Sequence, residues 1–247
     1  MNDETETPAV PPVKDALTYP LRGSGKLILI IGAVLWVLIS LVSWFSMLSL
    51  PATLIGLAYF NAYYFNIVES TVAGKDGVPD WPDISDFMEG IVLPFARMLA
   101  VWGLSFLPYM VMLALTYDGE SPWGKPLVWA ALAWAVFYFP MAILNVIISN
   151  EMAKGLPRHV LPRIRRNFPP YLVLVLLLAA ALVVSSVLGS LVSGIPFAGG
   201  LLSAGTGLYF MMAQARGAGL FYLKHLEDED GDGEPGIVPA LEDQTEK

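Results

Sequence analysis

An all-α, polytopic membrane bundle of six transmembrane helices, folded as three hairpins with short interfacial helices, is the fold class this sequence predicts. Three observations lead there. First, 55% of the 247 residues are hydrophobic and only 15% are charged, against about 25% charged in an average soluble domain. Second, the apolar residues gather in six stretches, at 27–48, 52–72, 91–116, 127–149, 171–192 and 201–223. Each is close to the ~20 residues a helix needs to cross a ~30 Å hydrocarbon core. Third, Lys and Arg fall on alternate connections. A soluble bundle would need polar faces that 171–188 does not offer. Barrel strands alternate apolar and polar over about ten residues, whereas 172–184 is apolar without interruption.

Taken in order, residues 1–18 carry Asp3, Glu4 and Glu6 with Pro8, Pro11 and Pro12, too little apolar content to fold, and are expected to form a disordered tail. The six-helix domain is expected over 19–226. Its first stretch follows Lys26 and exceeds the core of a signal peptide, so it reads as an uncleaved anchor. Orientation follows from short-loop Lys and Arg. Lys14, Arg22 and Lys26 precede the first span, Lys75 follows the second, and Lys154, Arg158, Arg163, Arg165 and Arg166 follow the fourth, while Lys125 stands alone on the other side. Both termini are therefore assigned to the cytoplasm, with outer turns at 49–51, 118–126 and 194–200.

Each hairpin enters through a proline (Pro20, Pro94, Pro169 with Pro170) and turns near another (Pro51, Pro122 with Pro126, Pro196). The returning helices start near Ala52, Leu127 and Leu201, a period of about 75 residues. Internal duplication and the plain regularity of short-turned hairpins both fit. Two cytoplasmic connections read as interfacial helices. In the first, Asp83 is placed to cap a helix from Ile84, with Ile84, Phe87, Met88 and Ile91 forming an apolar stripe. The second, 155–167, carries Val160, Leu161 and Ile164 among its basic residues.

Ionisable residues within spans are the first functional candidates in a membrane protein. Glu69, Arg97, Glu151 and Arg216 all fall near the cytoplasmic ends, where Glu69 with Arg97 and Glu151 with Arg216 would make interhelical pairs. Asn61, Asn66, Asn145, Asn150 and Gln214 share those helices and are suited to bonding across them. A polar cavity between the second, fourth and sixth spans is the place for a substrate. No acidic residue occurs between Met152 and Leu226, so Lys154, Arg158, Arg163, Arg165 and Arg166 are placed to contact anionic lipid headgroups; positive-inside bias alone also produces such a loop. Small residues recur every four positions at Ala181, Ser185, Gly189 and Ser193, and along Gly199, Ser203, Gly207, Ala215 and Gly219, which predicts close packing of the last two spans. A homodimer through the same face is the rival.

Other classes of function find little support. Without cysteine, disulfides and thiolate metal sites are excluded. His159 and His225 lack acidic partners of the kind a triad or zinc site needs, and no phosphate-binding glycine loop or other cofactor motif occurs. A net charge of −8 without a basic, aromatic-lined face argues against nucleic acid. The acidic tail, 227–247, is expected to be disordered. Its Asp228-Glu229-Asp230-Gly231-Asp232-Gly233 matches the first half of a calcium loop, but the twelfth position is Pro239 rather than Glu. High-affinity calcium binding is not expected.

The run Gly77-Val78-Pro79-Asp80-Trp81-Pro82-Asp83 through Gly90, together with Ala213-Gln214-Ala215-Arg216-Gly217-Ala218-Gly219, resembles a family of prokaryotic multi-pass membrane proteins known only as domain of unknown function 4013. The resemblance spans about 17–226 and implies a bacterial or archaeal cytoplasmic membrane and no particular activity. The expectation is a non-enzymatic membrane component, a scaffold, assembly factor or partner subunit, with a membrane-protein partner or a second copy. A small transporter or lipid-handling protein is the alternative. Reporter fusions placed within 118–125 and within 154–166 should mark opposite faces of the membrane; the same face at both would remove the six-crossing topology.

Overall fold

The computed structural model describes residues 12–42, 47–116, 124–195 and 198–227, and among them the regular structure is helical, without strands. Eight α-helices follow in chain order: α1 (Pro12–Thr18), α2 (Gly25–Val42), α3 (Ser49–Val72), α4 (Leu93–Leu115), α5 (Gly124–Ser149), α6 (Pro157–Arg166), α7 (Phe168–Ser193) and α8 (Gly199–His225). A 3₁₀ turn, Tyr19–Leu21, joins α1 to α2, and a π-helical turn, Phe87–Val92, leads into α4. Four segments are long and apolar enough to cross a membrane: Gly25–Val42, Phe87–Leu115, Gly124–Ser149 and Phe168–Ser193. α3 and α8 are as long but less apolar, because they carry Asn61, Asn66 and Glu69, and Gln214 and Arg216, respectively.

Those two helices sit at the centre. α8 packs along α7, α3 and α2, while α4 lies along α5. Buried side chains concentrate at one end of the bundle. They occupy the first half of α2 and α7 and the second half of α3, α5 and α8. This end also carries α1, the 73–86 loop and α6, and is called the loop end below. At the far end α2, α3, α4, α5 and α7 expose Leu38, Leu54, Leu107, Trp129 and Leu191 in turn.

Glycine permits the closest approach. A Cβ on Gly219 would lie 2.6 Å from Thr71 Cβ, so α8 meets α3 nearly backbone to side chain. The ridge of small residues expected to serve one contact is divided between several. Gly189 faces Ser203 across α7 and α8, whereas Gly219 faces α3.

Three expectations need correction. Residues 12–18, expected within the N-terminal tail, form α1, with Pro12 at the first helical position where its missing N–H costs nothing. Ser49 to Pro51, expected as an outer turn, open α3; proline is tolerated in a first turn for the same reason. Asp83 caps no separate helix: its Oδ1 accepts from the Ser85 N–H at 2.9 Å, and the chain passes directly into the π turn. Ile84, Phe87 and Met88 are exposed there, and only Ile91 is buried. The second connection does form a helix, α6, seated through Val160 and Ile164. Residues 1–11, most of the outer turn at 118–126, and the acidic tail with its half calcium loop from Asp228 onward lie outside the described residues.

α5 contains Pro140, which cannot donate to the carbonyl four residues back. Beside it, the Tyr171 hydroxyl of α7 donates to the Phe137 carbonyl at 2.5 Å and accepts from the Met141 N–H at 3.2 Å. One side chain thus spans the rung next to the proline, in a place without water. Tyr171→Phe should lower the unfolding free energy in detergent by about 1 kcal/mol, the net worth of a hydrogen bond, since the Phe137 carbonyl and Met141 N–H retain each other; an unchanged unfolding midpoint would show the hydroxyl to be dispensable.

Candidate functional site

The densest polar constellation lies at the loop end, around Arg216 of α8, which is only 4% exposed. A buried guanidinium has five N–H donors and no means of losing its charge, so its surroundings must answer both demands. They do so from four segments: α1, the 3₁₀ turn after it, α3 and the 73–86 loop. Nε bonds Asp15 Oδ2 of α1 at 2.9 Å, and Nη2 bonds Asp76 Oδ1 of the 73–86 loop at 2.9 Å. Nη1 reaches the Lys75 carbonyl at 2.8 Å and Thr71 Oγ1 at 3.5 Å. The Tyr19 ring covers the group, with Cζ 5.1 Å from its centroid, a cation–π contact. Arg22 also bonds Asp15. Burial alone would raise the Asp15 carboxyl, but hydrogen bonds from Arg216 and Arg22 outweigh it and hold the group below its ordinary value of 3.8. The Tyr19 hydroxyl, buried in the same place, is pushed up to about 12.

The loop that supplies Asp76 is fastened by tyrosines. Tyr19, Tyr63 and Tyr59 donate to the carbonyls of Gly77, Pro79 and Pro82 at 3.3, 3.2 and 3.3 Å. Prolines suit this arrangement, since they offer carbonyls without requiring an acceptor for an N–H. Trp81 is thereby driven into the bundle. Its ring stacks on Tyr59 at 5.5 Å and meets Phe60 edge-on at 5.9 Å. A Cβ on Gly32 of α2 would lie 2.9 Å from Trp81 Cη2 and 2.4 Å from Leu208 Cδ2, so only glycine admits the wedge.

The two sequence-predicted pairs fare differently. Arg216 turns toward α1 and α3, whereas Glu151 lies past the end of α5, exposed, with only backbone bonding to Ser149. Arg97 bonds the Asn150 side chain, and its charge is still near enough to attract the Glu69 carboxylate of α3. Asn150 ends α5 at φ 57°, the left-handed conformation that Asn tolerates at a helix terminus, and this aims it at α4.

The basic cluster divides as well. Arg163 is half-buried and donates to Asn145 Oδ1 at 2.8 Å, while Asn145 Nδ2 donates to the Lys154 carbonyl at 3.3 Å. With Tyr138 donating to the Gly155 carbonyl at 2.5 Å, these bonds fix α6 against α5. Arg163 therefore has a structural task. Arg158, Arg165 and Arg166 are on the exposed side of α6, beside exposed Leu161.

A groove of about 640 Å³ lies between α2, α3, α7 and α8, and shares α3 and α8 with the expected polar cavity of the second, fourth and sixth spans. No residue of α5 lines it and no charged residue does. Asn61, expected to bond across helices, is buried with its amide unpaired among the described residues, as is the Trp81 indole N–H.

Sequence reasoning missed Asp15, Asp76, Tyr19 and Trp81 as members of one site. The available signal for α1 was Pro12 followed by Val13, Ala16 and Leu17 at helical spacing. Compared with known proteins, the chain matches no family model, no curated protein and no solved structure.

Removing Arg216 takes from Asp15 its buried partner and leaves it the half-exposed Arg22. Arg216→Ala should lower the unfolding free energy by about 3 kcal/mol, whereas Asp76→Asn, at an exposed carboxylate, should change it by less than ~1 kcal/mol. Because the folded Asp15 value is depressed, its contribution is complete above pH 3.8 and is lost as pH falls through the lower folded value. Denaturant unfolding in detergent at several pH values reads all three; equal losses in the two variants would contradict this account of the site.

Proposed function

We propose that this chain is a non-enzymatic, six-span integral membrane protein that serves as a scaffold or partner subunit and presents its loop end to another membrane protein. α3 and α8 complete the spans. At 24 and 27 residues they reach about 36 and 40 Å, enough to cross the hydrocarbon core. Asn61 and Arg216 are buried among neighbouring helices and Asn66 and Gln214 partly so, while exposed Glu69 lies at the loop end. The six spans then pair as three hairpins. Both termini lie on the cytoplasmic face of a bacterial or archaeal membrane, in keeping with the positive loops and the motif resemblance.

One observation carries the scaffold reading. The loop end is locked: α1, the 73–86 loop and α8 are joined through a single buried, neutralised guanidinium, and Trp81 fills the space between α2, α3 and α8. A transporter alternates access by rocking or breaking helices around a site near mid-membrane. A locked end with an apolar interior suits a fixed platform. The groove between α2, α3 and α8 favours lipid handling as the second reading.

Purification of the tagged full chain in mild detergent, after lysine-directed crosslinking in its native membrane, should recover a stoichiometric protein partner with crosslinks to Lys14 or Lys75. Recovery of the chain alone, with no partner in crosslinked or uncrosslinked preparations, would overturn the scaffold reading.

A further inference from the structure

The connection after α5 does not run out into solvent; it turns back along the bundle. α5 ends at Ser149, yet Gly155 lies against Val146 and Ala142, and Tyr138 donates to its carbonyl at 2.5 Å. Val146 and Ala142 precede Ser149 by three and seven residues, so the chain has returned by about 5–10 Å along the helix. Tyr171, in the first turn of α7, meets the Met141 N–H at 3.2 Å, which puts the start of α7 near the same level. Both ends of α6 are therefore level. This ten-residue helix, about 15 Å long, lies across the bundle axis.

Its side chains then sort by face. Val160 and Ile164 are buried and Arg163 bonds Asn145, which fixes the rotation of α6 about its own axis. Arg158, Leu161, Pro162 and Arg165 are exposed on the opposite face, at the spacing that stacks residues along one side of a helix. Leu161, Pro162 and Arg165 line a shallow hollow with Arg166. Neither α6 nor α7 contains an acidic residue. Guanidinium groups suit phosphate, which accepts paired N–H bonds as well as charge. Just past Asn167, exposed Phe168, Leu172 and Val173 open the apolar surface of α7, so the arginine face stands at the level where hydrocarbon begins. A dissolved anion would meet the charge alone, whereas a phospholipid also meets Leu161 and Phe168. The bias of positive charge toward the cytoplasm asks only that the cations stay on one side of the membrane. It does not ask that they be drawn back and held at this level.

We propose that the outward face of α6 is a binding site for an anionic phospholipid, whose phosphate is held by Arg158 and Arg165 and whose upper acyl chains lie along the exposed start of α7. The inference rests on the membrane-embedded part of the reading above and not on the scaffold role.

The test uses the full chain in vesicles of phosphatidylcholine and phosphatidylglycerol, doped with a phosphatidylglycerol that carries a diazirine on its headgroup. A parallel preparation carries the same group on phosphatidylcholine. After irradiation, adducts are mapped by peptide mass spectrometry. With the phosphatidylglycerol label only, labelling of 158–168 should exceed severalfold that of 26–31, which also starts beside an exposed cation at the loop end. Arg158→Gln with Arg165→Gln should remove the excess; Lys26→Gln with Lys75→Gln, which takes the same charge from the same end, should leave it intact. If the arginine double variant does not fold, Arg165→Gln alone should lower the excess about twofold or more. Even labelling of the two stretches, an equal excess with the phosphatidylcholine label, an excess that survives the arginine variant, or its loss in the lysine variant would overturn the site. An excess that emerges only after the acidic residues of 227–234 are replaced by amides would assign the face to the chain's own tail and overturn it too. Absence of label from every helix would overturn membrane embedding, and the site with it, while the search for a crosslinked partner reads the scaffold role separately.

Discussion

A permanent charge held away from water is the constraint on which the loop end depends. The Arg216 guanidinium cannot discharge and cannot be left unpaired, so the fold must bring counter-charge and acceptors to it. Asp15 and Asp76 supply the charge, Lys75 and Thr71 supply oxygen, and Tyr19 supplies a ring face. These residues come from segments far apart in sequence. Their convergence fixes where α1 lies and where the 73–86 loop returns. Asp15 and Asp76 are not equivalent: the first side chain is 14% exposed and the second 88%. The first closes the site, and solvent screens the second.

From that anchor the packing of the bundle follows. Because the loop is held by three tyrosine hydroxyls, Trp81 has one position, and Gly32 with Leu208 must shape themselves around it. α3 and α8 are the helices that touch this assembly along their length. Their lower apolar content reflects surroundings of protein, where small and hydrogen-bonding residues pack well. α4 and α7 are the opposite case, with only 11% of their apolar windows buried, and are correspondingly uniform in their hydrophobic residues. The gradient of burial from loop end to far end is thus tied to polar fastening at one end and its absence at the other.

Much of the fold was legible in the sequence. The six apolar stretches correspond to the six long helices of the described residues, and the hydrophobic register of α6 was visible in Val160 and Ile164. Pairing was not legible. Whether Arg216 meets Glu151 or Asp15 depends on rotation about the α8 axis and on a short helix in a segment poor in apolar residues. Arg97 and Asn150 meet because Asn150 takes a left-handed backbone conformation, which composition does not reveal. The basic run after α5 looked uniform as a string of charges, yet Arg163 faces inward because it lies three residues after Val160 and one before Ile164, on the seated side of α6. Tyrosine hydroxyls bonding loop carbonyls leave no periodic trace.

The Tyr171 hydroxyl at the Pro140 rung has a bearing on how the protein is made. Chain synthesis delivers α5 before α7, so until α7 arrives the Phe137 carbonyl and the Met141 N–H have only each other, one helical rung beside the one that Pro140 removes. The two helices are therefore coupled during biogenesis: α5 reaches its final bonded state only when a residue 30 positions further on arrives beside Met141. An α5 that settled ahead of α7 would lack the tyrosine's support at that rung, which favours keeping the two helices together as they fold.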